Sequence, residues 1–179
     1  IFYDYITHKK LRCLFNNNTI GLFRSFVCKN NNILCFAPPK SVNFEQFTSS
    51  HIESECIAEE YVEGTMINLF YDIEKQDWEI ATKTTVGGKV NYFNTNKMFF
   101  RQMFLEACND CNLDFDSLNK NLCYSFVMQH PNNYIVIPLT ETKLYLVACY
   151  KINNSNKTIQ VIDVNSIKKD FNNIKIYYP

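Results

Sequence analysis

Apolar and polar positions alternate along most of this chain with the period of β-strands. The run Ile20 to Cys28 is dense in Phe, Val and Leu, and Ile33 to Ala37 is a short apolar run closed by Pro38-Pro39. Thr65 to Tyr71 and Trp78 to Thr84 flank Glu74-Lys75-Gln76-Asp77 and read as a hairpin. Leu122 to Met128, Tyr134 to Leu139, Lys143 to Ile152 and Thr158 to Asp163 continue the strand pattern. Asn clusters at Asn16-Asn17-Asn18, Asn30-Asn31-Asn32, Asn132-Asn133 and Asn153-Asn154-Ser155-Asn156 separate these runs as turns, because Asn tolerates left-handed backbone and bonds to its own main chain. Two stretches follow helical periodicity instead. Between Asn96 and Cys111, the residues Met98, Phe99, Met103, Phe104 and Ala107 share one face behind an Asn94-Thr95 start signal, and Val164 to Phe171 carries a shorter pattern. The expectation is a single α+β domain over residues 1–179, built mainly from antiparallel strands.

Composition narrows the class further. With 46% hydrophobic and 15% aromatic residues in 179, the chain can bury a one-domain core, which excludes disordered and fibrous classes. Eighteen basic and eighteen acidic residues cancel, so a polyanion-binding surface spread over the whole molecule is excluded and only a local basic groove remains. Asn occurs 23 times and Lys supplies 15 of the 18 basic residues, a bias toward A/T-rich codons. No secretory leader pattern opens the chain and the eight Cys show no framework spacing, which predicts reduced thiols and an intracellular, reducing location. Cys13, Cys28, Cys35, Cys123 and Cys149 lie in apolar runs as small hydrophobes. Cys108-x-x-Cys111 has half of a zinc spacing without a second pair, and reads as a helix end carrying two thiols. No apolar run approaches the roughly 20 residues that span a bilayer, so no membrane partner is expected. The start at Ile1 and the end at Tyr178-Pro179, inside a strand-like run, predict a piece of a longer chain.

One stretch carries more. Glu59-Glu60-Tyr61-Val62-Glu63-Gly64-Thr65-Met66-Ile67-Asn68-Leu69-Phe70, a hairpin, then Trp78-Glu79-Ile80-Ala81-Thr82-Lys83-Thr84 resembles the start of the nucleotidyltransferase core shared by ATP-dependent RNA ligases, DNA ligases and capping enzymes. Downstream, Ser125-Phe126-Val127-Met128-Gln129-His130-Pro131-Asn132-Asn133-Tyr134-Ile135-Val136-Ile137-Pro138 and Glu141-Thr142-Lys143-Leu144-Tyr145-Leu146 are similar to a segment of the bacteriophage tRNA-repair type of RNA ligase. The resemblance covers about Ile57 to Lys151 and suits the branch found in large DNA viruses. It implies an antiparallel β-rich, RNA-ligase-like core with flanking helices, using ATP and Mg²⁺. In such enzymes a Lys amine of lowered pKa attacks the α-phosphate, and the nucleotide then passes to an RNA 5′-phosphate.

At the nucleophile position this chain has Tyr61. A phenol has no amine and an unperturbed pKa of about 10, so the lysyl step cannot run there. Glu63 and Gly64 survive, the former as a ligand for Mg²⁺ or a ribose hydroxyl or as a solvated carboxylate. The downstream basic residue is Lys83, which lacks the bidentate fork of Arg. Val127 stands where the phage-type pattern has Glu, with Gln129 as the nearest polar substitute, and Tyr134 stands in place of an Arg. Lys143 is retained, while the later Glu-Gly and Lys-x-Lys elements are missing. The implied nucleotide-binding set is Tyr61, Glu63, Gly64, Lys83, Gln129 and Lys143, with no metal ligand assigned. Against a role for Tyr61 stands packing of its ring where a Lys once sat. His130 reads as a turn histidine without a visible carboxylate partner, and Gly87-Gly88 as a plain turn. Three functions stay open. One is a pseudoenzyme binding a nucleotide, an RNA end or a viral protein, the last as a virion component. Another is an active ligase using Lys83 or Lys40, or completed by a longer parent chain, and the last is a structural protein.

Overall fold

The computed structural model describes residues 26–91, 98–133, 136–171 and 176–178. Strands β1 (Val27–Lys29) and β2 (Asn32–Cys35) form a hairpin with Lys29 opposite Asn32. Its two-residue loop is Asn30-Asn31, at φ 48° and 60°, the left-handed backbone that a tight hairpin needs and Asn tolerates. The main sheet contains β3 (Thr65–Asp72), β4 (Asp77–Ala81), β5 (Leu122–Gln129), β6 (Lys143–Asn153) and β7 (Thr158–Ile162) in the order β4-β3-β5-β6-β7, all antiparallel. A short β8 (Ile176–Tyr177) adds in parallel beside the start of β6. Among the described residues, three α-helices, α1 (Phe44–Ser50), α2 (Phe100–Asp110) and α3 (Val164–Ile167), accompany the sheets in a mixed α+β fold.

Strand alternation divides the core in two. Ile67 and Leu69 of β3, Tyr124, Phe126 and Met128 of β5, and Leu144 and Leu146 of β6 face α2, which covers them with Phe100, Met103, Phe104 and Ala107. On the opposite face Phe70, Ala81, Cys123 and Tyr150 meet Cys35 and Phe36 from the small hairpin. Asn154 fastens that hairpin to the β6–β7 turn, its Oδ1 accepting from the Ile33 N–H at 2.7 Å and its Nδ2 donating to the Ile33 carbonyl at 2.9 Å. Ser125 pairs with Ala148 and Phe126 with Leu146, so Val147 is an extra residue in β6. This bulge keeps Leu146 on the helix side and Ala148 on the hairpin side.

Several sequence expectations change at element ends. The second hairpin strand stops at Ala81 rather than Thr84 because the chain reverses there: Thr82 N–H donates to the Thr85 carbonyl at 2.8 Å and Ala81 bridges Val86. Helix α2 begins at Phe100, since the Gly88 and Val90 carbonyls take the N–H groups of Arg101 and Phe100. Met98 and Phe99 precede it, and Phe99 is exposed. Its predicted start signal, Asn94-Thr95, lies outside the described residues, as do Asn16-Asn17-Asn18, Cys13 and Tyr134. Val136 to Leu139 form no strand, because the Val136 and Ile137 amides bond to the Glu63 carboxylate instead of a sheet neighbour. The pattern over Val164 to Phe171 resolves into α3 followed by a 3₁₀ turn, Lys168–Phe171, with Asp163 as N-cap. Helix α1 escaped the sequence reading: it buries none of its residues and so has no apolar stripe, and its one signal is the Asn43 cap on Gln46 N–H.

Candidate functional site

The segment after β2, the approach to β3 and the turn after β4 converge at one end of the sheet and enclose a cavity of about 810 Å³. That lies within the range of about 300–1,000 Å³ usual for small-molecule sites. Val127 of β5 and the bulged Val147 of β6 line it from the sheet, and Pro38, Pro39, Met66 and Phe100 add further apolar surface. Thr65 and Met66 point to opposite faces of β3 and both line the cavity, which therefore wraps around the start of that strand. Thr82, Thr84 and Ser41 supply hydroxyls, Lys83 supplies the one cation among the described lining residues, and Glu59 and Glu60 supply carboxylates.

The six predicted site residues separate into two groups. Tyr61, Gly64 and Lys83 line the cavity. Tyr61 is 97% exposed, so its ring is not packed where the motif lysine would sit; it stands on the rim. Lys83 is half-buried in the turn that follows β4. Gly64 has φ +153°, and a Cβ there would lie 2.6 Å from the Met128 carbonyl oxygen and 2.7 Å from Val127 Cγ1. Its lack of a side chain lets the loop lie directly against β5.

Glu63, Gln129 and Lys143 gather instead beside the ends of β5 and β6. Glu63 Oε1 accepts from the N–H groups of Val136 at 3.0 Å and Ile137 at 3.3 Å, while its main-chain carbonyl accepts from Gln129 Nε2 at 2.9 Å. Gln129 is the register partner of Lys143, whose Nζ meets Glu141 Oε1 at 2.6 Å. The Glu63 carboxylate thus pins the 136–137 loop and does not line the cavity. Thr65, Thr82, Phe100 and Val147 were missed as lining residues, because strand alternation and helical periodicity mark them as core or surface and only the bulge and the loop reversal aim them at one space.

Other singled-out residues also find their places. His130 does have a carboxylate partner: Glu106 of α2 lies with Oε2 3.1 Å from Nε2, while Nδ1 accepts from the Asn132 N–H at 3.1 Å. Gly88, at φ +62°, brings the loop within 2.8 Å of Ile80 Cδ1 for a would-be Cβ, so it serves packing at the start of α2. The seven described cysteines are not joined in disulfides. Cys35 and Cys123 touch at 3.4 Å across the two sheets, and burial, then the neighbouring Cys123, raises the Cys35 pKa well above its usual range. Cys108, in the last turn of α2, and Cys111, its C-cap, are buried in the core, and burial pushes the Cys108 thiol up strongly.

A smaller cavity of about 300 Å³ lies beneath the β1–β2 hairpin, lined in part by Lys29, Asp72, Lys75 and Glu79. Its charges already satisfy one another: Lys29 contacts Asp72 and Glu74, and Lys75 and Arg101 both bind Glu79. The larger cavity is the roomier of the two, at about 810 Å³ against about 300 Å³. Among the described residues no helix is long and apolar enough to cross a membrane. No protein-family model matches the chain, and no curated protein matches it.

Proposed function

We propose that this chain is an RNA-ligase-like nucleotidyltransferase domain, of the kind found in large DNA viruses, that binds a nucleotide or RNA end without forming a lysyl-nucleotide. The observation that carries this reading is the cavity of about 810 Å³ on which Tyr61, Gly64 and Lys83 converge, three residues that the resemblance assigns to nucleotide binding. Its apolar walls suit a flat base, its threonine hydroxyls suit a sugar, and Lys83 suits a phosphate. The phenol of Tyr61 cannot form a phosphoramidate, and Val127 supplies no carboxylate where the family has one. Glu59 and Glu60 are the lining carboxylates available to a Mg²⁺ brought in with ATP.

A second reading rests on Lys83 itself, an amine lining the same cavity, acting as the nucleophile of an active ligase. Lys40 is not among the lining residues, which weakens the variant of that reading based on it. Incubation with α-labelled ATP and Mg²⁺, followed by denaturing electrophoresis, separates the two. The binding reading expects no acid-labile label on the protein while nucleotide raises the melting temperature with concentration. Label that disappears in Lys83→Ala would establish the second reading, and the absence of both label and thermal shift would leave a structural protein.

A further inference from the structure

Two thiols meet where the small hairpin rests on the main sheet. Cys35 ends β2 and Cys123 is the second residue of β5, and their Sγ atoms stand 3.4 Å apart across 88 residues of sequence. Both are buried, among Phe36, Phe70, Ala81 and Tyr150. Cys123 Sγ also donates to the Phe36 carbonyl at 3.3 Å, which holds it toward the hairpin. Cys149 of β6 belongs to the opposite face of the sheet, with α2, so strand alternation keeps it away from Cys35. The polar ties of the hairpin lie toward its other end. Asn30 donates to Glu74, Lys157 donates to the Asn31 carbonyl, and Asn154 brackets Ile33. The first two of these bonds are exposed, and an element tied by exposed bonds opens locally more easily than a core strand. A disulfide needs its sulfurs about 2.05 Å apart, so each must move by about 0.7 Å.

We propose that Cys35 and Cys123 are a site of intramolecular disulfide formation, with a low-molecular-weight disulfide such as oxidised glutathione as the oxidant, and that the bond clamps the hairpin to the main sheet. One protein thiol, deprotonated while the hairpin is open, attacks a sulfur of oxidised glutathione and expels one glutathione thiolate. The other protein thiolate then attacks the protein sulfur of that mixed disulfide and expels the second. Two protein thiols are thereby oxidised, one glutathione disulfide is reduced to two thiols, and the two protons pass to the expelled thiolates. Opening comes first because burial, then Cys123, holds the Cys35 thiol well above its ordinary pKa, and a close-packed core has no room for glutathione. Pro38 and Pro39, three and four residues after Cys35, line the larger cavity, so the same bond anchors the chain that forms that wall.

Incubation of the protein with oxidised glutathione, an acid quench, alkylation in denaturant and tryptic mass spectrometry test it. Cleavage after Lys29, Lys40, Lys120 and Lys143 leaves Cys35 and Cys123 as the single cysteines of peptides 30–40 and 121–143. The two peptides are expected to appear joined, and the joined species to vanish on reduction with dithiothreitol. For a loop of this length the oxidised protein should melt at least about 4 °C above the reduced one. Cys123→Ala should remove that rise. Should the variant fail to fold, the comparison of oxidised with reduced unaltered protein decides alone. Peptides 30–40 and 121–143 that stay separate after oxidation, each alkylated or carrying glutathione, overturn the site. Joined peptides without a higher melting temperature overturn the clamp.

Discussion

At Gly64 the backbone explains the residue without any ligand. Any Cβ there meets Met128 O at 2.6 Å, and φ +153° is one that side chains rarely adopt. Gly64→Ala is therefore expected to cost about 1–3 kcal/mol, read as a lower urea midpoint with an unchanged slope. Tyr61 makes the opposite case. With 97% of its surface exposed, Tyr61→Ala should stay within about 0.5 kcal/mol of wild type, and a melting temperature lowered by several degrees would show that the ring is packed after all. The sequence singled out both positions through the motif, yet it could not tell a rim residue from a packed one. His130 shows the same limit: its partner Glu106 comes from a helix 24 residues earlier, and no local pattern joins them.

At the scale of elements, α2 holds the sheet through a stripe that periodicity found and a start that it misplaced. Phe104 is fully buried, with its ring centroid 5.9 Å from Phe126 and 6.3 Å from Phe115. Phe104→Ala should cost about 3–5 kcal/mol in chemical denaturation. The neighbouring substitution Phe99→Ala, outside the helix and exposed, should cost far less, although both residues fit the predicted apolar face. The difference comes from the loop at Gly88 and Val90, whose carbonyls fix where the helix begins. Strands β3 and β5 were legible because Thr65 to Asp72 and Leu122 to Gln129 are long apolar runs that pair with neighbours on both sides. The run containing Val136 and Ile137 was equally apolar and formed no strand, since Glu63 took its amides.

For the whole molecule, stability is bounded by groups that link elements. Partial burial acts to raise the Glu79 pKa, but hydrogen bonds from Lys75, Ile80 N–H and Arg101 outweigh it and hold the carboxyl below its usual 4.5. A folded pKa depressed in this way contributes stability above about pH 4.5 that is lost as pH falls through the folded value. Glu79→Gln should therefore flatten the acid limb of urea midpoint against pH. At the alkaline end burial, then Cys123, pushes the Cys149 thiol up to about 12 from 9.0, so its contribution is complete below pH 9 and declines toward 12. Cys149→Ala should soften that decline; an unchanged slope would place the alkaline loss elsewhere. The sequence by itself determined the α+β class, the hairpin around Glu74 to Asp77, the main strands and the stripe of α2, because period and turn chemistry are local properties of the chain. Motif order put Tyr61, Glu63, Gly64, Lys83, Gln129 and Lys143 in one set and did not single out Tyr61, Gly64 and Lys83. Only the tertiary structure decided that these three share a cavity while Glu63, Gln129 and Lys143 do not, that Val147 bulges toward the same space, and that Glu59 and Glu60 join Lys83 there. Those outcomes depend on long-range hydrogen bonds and close packing between segments far apart in sequence, which no local pattern encodes.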